Sequence, residues 1–555
     1  MLIDVRPDHL KIIQDILYKF VPDREVWAFG SRAKWLAKEY SDLDLCIISD
    51  APLSFSILGL MEEAFEDSDL PYKVDLVDWA MTSEAFRRII EKDKVIVQIA
   101  KLDWRVPLKT EKLASLCEAV VDCPHSTPVW TDSGFVVLRN QNIKGGRLDL
   151  TTPSYTDEEH FKHRTRRLAP RAGDIVITRE APMGEVCKIP ENLECCLGQR
   201  QVLLRPKKDI DSDYLLYALQ SPFVQNQILW NEGTGSTVSN IRIPVLENID
   251  IPRHDEKEPL IGKNLWAIDA KIDLNRRINQ TLEAMAQAIF KSWFVDFDPV
   301  KAKIAAKAEG RDPLRAAMSA ISGKPEEELD TLPTEGFEQL AATAALFPDE
   351  MVESELGEIP KGWAFKSVGD IAQFASGKID VSSLNEEIYI STENMLENRA
   401  GVTRATSLPS VATVPSFKVG QILISNIRPY FKKIWMARVD GGRSPDVLAF
   451  ESADSQWIEF LYNLMYQDTF FEFMTRTAKG AKMPRGDKDA IMGWRFPCPD
   501  ALLIVAFSEK VRPHYVHIES LTSQSKSLTE LRDILLPKLL SGELSVTESM
   551  AESEA

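Results

Sequence analysis

Two stretches of the chain set apolar residues at alternating four- and three-residue steps, a spacing that gathers them on one face of a helix. In the first, Ile261, Leu265, Ile268, Ile272, Leu282, Ile289 and Trp293 keep this rhythm, with Asn275, Asn279 and Ala286 filling the seam places between them. In the second, Ile518, Leu521, Leu528 and Leu535 share a face, with Ser525 as its polar interruption. The first helix would run about 55 Å if continuous. Its two asparagines weaken the seam but fix register and partner. Pro513 and Pro537 should limit or kink the ends of the second. Mutual antiparallel pairing is expected, because the chain must reverse between two similar units; the alternative is that each helix docks on its own globular neighbour.

Those units are a repeat, offset by roughly 246 residues. Gly173-Asp-Ile-Val-Ile-Thr returns as Gly420-Gln-Ile-Leu-Ile-Ser, and Tyr214-Leu-Leu-Tyr-Ala-Leu as Phe460-Leu-Tyr-Asn-Leu-Met. Gly233-Thr-Gly-Ser-Thr has its counterpart in Lys479-Gly-Ala-Lys-Met, and Ile251-Pro252 in Phe496-Pro497. Each unit reads as short strands broken by turns, with a helix near Ser212 to Trp230 in the first. Ahead of the repeat, residues 1–100 alternate helix and strand. The strands are expected at Glu25 to Phe29, Leu43 to Ile48 and Val74 to Val77, in a small α/β domain. The divisions expected are 1–100, a first head over 105–254, a spacer helix over 256–307 and a connector over 308–356. A second head over 357–500, a closing helix over 503–541 and a disordered acidic tail over 542–555 follow. The fold class is multidomain α+β.

Composition narrows the classes. Of the 555 residues 44% are hydrophobic and 27% charged, ordinary for a soluble globular protein. No run approaches the roughly 18 apolar residues of a membrane span, and the first residues lack the form of a signal peptide. The seven cysteines make no Cys-x-x-Cys pair, so reduced, packed thiols and a cytoplasmic location are expected. The histidines show no metal-ligand spacing. A net charge of −18 argues against indiscriminate coating of nucleic acid. Local potential steers a polyanion, however, and the basic residues are clustered. Lys162, Arg164, Arg166, Arg167 and Arg171 lie in the first repeat, and Lys479, Lys482, Arg485 and Lys488 in the second.

Several phrases resemble the specificity subunit of type I restriction–modification enzymes: Gly173-Asp-Ile-Val-Ile-Thr-Arg, Gly198-Gln-Arg-Gln-Val, Ile278-Asn-Gln-Thr-Leu-Glu-Ala-Met, Ile359-Pro-Lys-Gly-Trp363 and Pro537-Lys-Leu-Leu-Ser-Gly-Glu-Leu. The order of unit, helix, unit, helix adds independent weight. The resemblance implies two target recognition domains, each reading half of a split site in double-stranded DNA, with the paired helices setting the gap. It also implies two adenine methyltransferase subunits and restriction–translocase subunits as partners. S-adenosylmethionine, ATP and Mg²⁺ would then be used by those partners, with no cofactor in the specificity region itself. The sequence has neither an Asn-Pro-Pro-Tyr-like methyltransferase motif nor a Gly-x-x-x-x-Gly-Lys-Ser/Thr loop, which agrees. Base edges are read by forked side chains, while Lys and Ser mostly hold phosphates. The candidate DNA contacts are therefore Arg139, Asn140, Asn142, Arg164, Arg166, Arg167, Arg179, Ser236 and Thr237 in the first repeat. In the second they are Asn426, Arg428, Tyr430, Lys432, Lys479, Lys482 and Arg485.

A different signature precedes the repeat. Gly30-Ser31, then Asp42-Leu-Asp44, then Asp75 in Lys-Val-Asp-Leu-Val resembles the minimal nucleotidyltransferases of the DNA polymerase β superfamily. Gly30 ends a strand and lets the backbone approach a phosphate, and Ser31 opens a helix. Asp42 and Asp44, two apart on a strand, face the same way. Asp75 on a neighbouring strand would complete a three-carboxylate cup for Mg²⁺, serving transfer of a nucleotide from ATP. Arg32 is a candidate for holding phosphate oxygens. The sequence departs from the family pattern at Trp35, where a small residue is usual.

Two rival readings stand beside that of a specificity subunit. In one, the chain is a nucleotidyltransferase that adenylylates a protein or RNA, with the repeats delivering it to DNA. In the other, it is an adaptor with no sequence preference. A retained nucleotidyltransferase fold without turnover is the plain alternative for the first 100 residues.

Overall fold

The computed structural model describes residues 3–21, 24–38, 41–49, 52–53, 55–98, 109–180, 182–230, 240–355 and 357–546. Two compact units divide the chain, one holding 1–271 with 527–555 and the other 272–526.

In the first unit, the N-terminal region is a four-stranded sheet ordered Val74–Asp78, Leu43–Ile47, Val26–Phe29, Val95–Gln98. Its core comes from alternation: Val26, Ala28, Leu43, Leu45 and Ile47 are buried together with Ile13 and Leu17 of helix Pro7–Phe20. The middle pair is antiparallel, but Leu43–Ile47 and Val74–Asp78 run parallel in register, opposing Asp44 to Asp75.

The first head follows. Its inner sheet is ordered Val186–Lys188, Ile175–Thr178, Gln201–Pro206, Cys117–Asp122. Short pairs flank it, including Lys109–Lys112 with Asp250–Arg253 and the parallel pair Phe135–Leu138 with Cys195–Leu197. The helix expected near 212–230 is two helices, Ser212–Gln220 and Pro222–Trp230, because Pro222 cannot continue the first. Helix Ser212–Gln220 is buried from Tyr214 to Leu219.

The second unit contains the second head, which repeats the inner sheet and the helices after it. An inner sheet of Ala372–Phe374, Val447–Ser452, Ile422–Ser425 and Ile434–Met436 repeats the first. Ala364–Ser367 pairs with Arg495–Cys498, and Tyr389–Ile390 runs parallel to Gly441–Arg443. Helices Ile458–Tyr466, Asp468–Thr477 and Lys488–Met492 stand where Ser212–Gln220, Pro222–Trp230 and Ile243–Glu247 stand in the first.

The two seams form long helices, Glu258–Phe294 and Ala501–Leu540, and they pair antiparallel. Within the first unit Asp269 meets Arg532, and His254 meets the Leu540 carbonyl. Within the second, Asn275 Nδ2 donates to Gln524 Oε1 at 2.8 Å, Asn279 to Thr522 at 3.2 Å, and Tyr515 to Glu283 at 3.3 Å. The asparagines thus bond the opposite helix, as register-fixing seam residues should.

Three expectations are corrected here. The spacer helix ends at Phe294 rather than near 307, because Phe297 turns left-handed (φ 56°) and starts a separate helix, Asp298–Ala308. Together with the preceding helix Asp298–Ala308, the segment expected as a connector, 308–356, folds as helices Pro313–Ser322 and Thr334–Ala345. With that helix it adds Val300, Met318, Leu329 and Phe347 to the core of the second unit, packed with Trp293, Phe294 and Phe460. Its Pro and Glu content marked helix starts and exposed faces rather than a loose link. The closing helix runs through Pro513 instead of being limited there. Burial of Phe507, Val511 and Tyr515 on either side offsets the lost backbone hydrogen bond. All seven cysteines are buried free thiols. No helix among the described residues is long and apolar enough to cross a membrane. Of the acidic tail, 547–555 lie outside the described residues.

Candidate DNA-facing surfaces and N-terminal carboxylates

The candidate readers fall into two groups, those that face outward and those that hold loops in place. Asn142 belongs to the second. It is 2% exposed. Its Oδ1 accepts from Arg139 N–H at 2.9 Å and its Nδ2 donates to the Asp149 carbonyl at 2.9 Å. Asn140 donates to the Glu180 carbonyl at 2.5 Å and accepts from Gln201 Nε2 at 3.2 Å. Arg164 is buried and donates to four backbone carbonyls, those of Leu197, Ser126, Pro124 and Gly198. Arg179 forms a bidentate pair with Asp122 at 2.8 and 2.9 Å and also donates to the Ile241 carbonyl. Of these four candidates for DNA contact, Asn142 and Arg164 are buried struts, while Asn140 and Arg179 are half-buried and tied to neighbouring loops. A sequence string cannot tell a forked side chain that reads bases from one that collects carbonyls, since both uses need the same donors.

The outward group in the first head is Arg139, Arg166 and Arg167, all exposed. The last two follow helix Glu158–Thr165, whose N-terminus is capped by Asp157. Ser236 and Thr237 lie outside the described residues.

In the second head the structure brings both basic strings together. Arg428 N–H donates to the Pro484 carbonyl at 2.9 Å, and Ile427 forms a bridge with Arg485. Arg428 and Lys432 both take left-handed backbone, at φ 50° and 51°, and turn the loop around exposed Tyr430. Lys432 is held by Asp468 at 2.6 Å, Arg485 by Asp446 at 3.1 Å and Lys479 by Asp487. Lys432 and Arg399 together hold the Asp468 carboxyl down at about 2. Lys482 is exposed. Asn426 is another correction: it is 6% exposed and its Oδ1 has no hydrogen-bond partner among the described residues.

In the N-terminal region, parallel register sets Asp44 beside Asp75. Burial, then the charges of Asp75 and Asp42, push the Asp44 carboxyl above its ordinary value. Lys73 pairs with Asp75 at 2.6 Å. Gly30 sits at φ 76° with its backbone against Asp44, and a Cβ there would collide with Asp44 Oδ2. Only glycine permits that approach. Ser31 is partly buried in the short helix Gly30–Ala33 and accepts backbone bonds from Lys34 and Leu36. Arg32 is not available to a phosphate. It is 4% exposed, donates to the Ser41 and Asp4 carbonyls at 2.8 Å and stacks on Tyr72. Among the described residues no group of three or more acidic, His or Cys side chains is placed to hold a metal ion. The carboxylates have the donor chemistry for Mg²⁺ without that convergence. Trp35 takes left-handed backbone at φ 57° and is 40% exposed.

Comparison with known proteins bears on both regions. The family model for the type I restriction modification DNA specificity domain matches residues 131–284, and that for a nucleotidyltransferase domain matches 10–103. The chain is 32% identical over 323 residues to the type I restriction enzyme HindI specificity subunit of Haemophilus influenzae, covering 54% of this chain and 69% of the relative. It is 24% identical over 413 residues to the MjaIX specificity subunit of Methanocaldococcus jannaschii, covering 70% and 82%. The first region is 55% identical over 96 residues to a probable protein adenylyltransferase, MntA, of Haemophilus influenzae, covering 17% of this chain and 84% of the relative. A crystal structure of a type I S subunit from M. genitalium aligns at 17% identity with a TM-score of 0.43, covering 79% of this chain and 97% of that one. The chain belongs to the specificity-subunit family of type I restriction–modification enzymes, with a nucleotidyltransferase-family domain at its N-terminal side.

Sequence reasoning missed Trp130 and Arg200 as exposed residues of the first head. Arg200 lay in view inside Gly198-Gln-Arg-Gln, a phrase that served only to carry the family resemblance. Its left-handed backbone was not legible, because such a conformation is usually signalled by Gly or Asn.

Proposed function

We propose that each head reads one half of a split duplex target, and that the antiparallel helices hold the two readings at a set gap. The duplicated head-and-helix, with exposed basic residues on each head, carries this reading. Two such readers joined by a stiff element suit a linear polymer addressed at two points. In the first head Arg166 and Arg167 are assigned to phosphates and Arg139 to base edges. In the second, Arg428 and Tyr430 read, while Lys479, Lys482 and Arg485 track the backbone. Methylation and cleavage are assigned to partner methyltransferase and restriction subunits, which would supply S-adenosylmethionine, ATP and Mg²⁺ chemistry in the cytoplasm. The test is methylation mapping of host DNA with and without the chain, its partner subunits present. A split adenine-methylated motif that needs the chain supports the reading; a continuous motif, or none, rejects it.

A second reading concerns the N-terminal region alone, where Asp44 and Asp75 lie in register and Gly30 opens space beside them. We infer a nucleotidyl-transfer site there. Incubation with labelled ATP, Mg²⁺ and cell extract should label a protein or RNA with the wild-type chain and not with Asp42→Ala/Asp44→Ala. Equal labelling by both, or none by either, leaves the domain a docking fold.

A further inference from the structure

A hollow of about 420 Å³ opens on the first head, lined by Trp130, Arg139, Gln141, Gln199 and Arg200 among others. A smaller one of about 170 Å³ shares Gln199 and Arg200 and reaches His125 and Glu180. The floor is built from groups already satisfied. Gln201 is fully buried; its Nε2 donates to Asn140 and its Oε1 accepts from Gly198 N–H at 3.1 Å. Gly198 presses so close to the Leu138 carbonyl that a Cβ would collide with it. Asn140 ties this floor to the Glu180 carbonyl. The rim differs in kind: Trp130 is 47% exposed, Gln141 is exposed, and the Arg139 guanidinium lies 5.4 Å from the Trp130 ring centroid.

Arg200 is the telling residue. Its backbone is left-handed at φ 66°, a conformation that glycine would take without strain. An arginine there is a backbone outlier, which points toward a use for the side chain. That side chain is half-exposed and steered by Glu180 at 3.1 Å. Two guanidinium forks, a terminal amide and a flat indole wall around one opening form a specific set. A fork matches guanine O6 and N7, an amide matches adenine N6 and N7, and an apolar face suits a thymine methyl.

We propose that this hollow is where the first head reads base edges, with Arg139, Gln141 and Arg200 as donors to purine edges and Trp130 as the apolar wall. This rests on the split-target reading and names the residues that set one half of it. Asn140, Asn142, Arg164 and Arg179 act behind it as supports.

The experiment maps methylation in cells carrying the full chain and its partner subunits, comparing wild type with Gln141→Ala, Trp130→Ala and Arg200→Gly. Arg200→Gly relieves the strained backbone while deleting the side chain, so it should unfold at the same or a higher temperature than wild type. Each variant is expected to lower discrimination at one or two positions of one half-site by about 5- to 150-fold, leaving the other half unchanged. A wild-type split motif that survives Arg200→Gly and Gln141→Ala unaltered overturns the hollow while sparing the split-target reading. Loosening of both halves alike also overturns it, since that marks general backbone binding. Absence of a split motif in wild type removes the underlying reading and the hollow with it.

Discussion

The two heads place an asparagine at the same point and use it in the same way. Asn142 accepts from Arg139 N–H and donates to the Asp149 carbonyl; Asn394 accepts from Ser391 N–H and donates to the Tyr389 and Thr403 carbonyls. Each head also docks on the helix that follows it through a buried polar bond among others, but with the chemistry changed. In the first it joins Tyr217 to Asp269, in the second Asn463 to Tyr515. Beside that bond, Gly262 lets its helix lie against Tyr214 N–H and Asp211, where the second copy has buried Ser508. The outer loops share neither chemistry nor shape: a Trp–Arg hollow on one head, a left-handed loop around Tyr430 on the other. Positions that fill a core or satisfy a buried donor tolerate change only in compensating pairs, whereas outward loops are restrained by little except what they touch.

That comparison can be broken at the docking bonds first. Asp269 accepts from Tyr217, Arg147 and Arg532 at 2.7–2.8 Å and is 6% exposed. Asp269→Ala strands Arg147 and the Tyr217 hydroxyl and leaves Arg532 only Asp533, and a loss of about 3 kcal/mol in urea unfolding is expected. Tyr515→Phe, which strands only neutral groups and one carboxyl, should lose about 1–2 kcal/mol. Equal losses would mean that the docking bonds are not what distinguishes the two copies.

The asparagines should behave alike. Asn142→Ala and Asn394→Ala each remove a buried amide from its own loop, at a cost of about 2 kcal/mol. Hydrogen exchange should speed up in that loop and not in the other head; a change confined to one variant of the pair would contradict their equivalence.

A pH effect is expected from one carboxyl of the second unit. Burial pushes the Glu283 carboxyl up to about 6 from 4.5. A raised folded value means that the folded state binds the proton more tightly than the unfolded state. Stability is therefore fully present below about pH 4.5 and declines as pH rises through 6, by about 2 kcal/mol in total. Glu283→Gln should flatten this dependence and raise stability at pH 7, read from denaturation midpoints across pH 4–8. An unchanged pH profile would reject it.

The smallest effect is at the surface. Lys479 is 81% exposed. Lys479→Ala should leave the unfolding midpoint unchanged while lowering the salt dependence of DNA binding by about one phosphate contact. A change in sequence preference instead would move Lys479 from the backbone to the bases.

How far the sequence could be read follows from the same division. The paired helices were legible from the apolar rhythm around Ile261 and Leu521, because burial on one face writes a period into the chain. The repeat was legible because Gly173 and Gly420 recur before matched strands. The carboxylate signature was legible as far as spacing goes: Asp44 and Asp75 do meet, but only tertiary packing shows Arg32 turned inward onto Tyr72. The exposure of the candidate DNA contacts was half legible. Arg139, Arg428 and Tyr430 are exposed as expected, while Asn142, Arg164 and Asn426 are buried. Nothing in a string of polar residues states which way each one points. The packing of the connector was not legible, because its amphipathic helices are short and begin at prolines that also suit a loop.

The account depends on two independent readers in one chain. The direct measurement exchanges residues 109–253 for the corresponding head of a different specificity subunit and maps methylation with the partner subunits present. One half of the motif should be replaced, with the other half and the gap between them retained. A motif changed in both halves, or a changed gap, would contradict it.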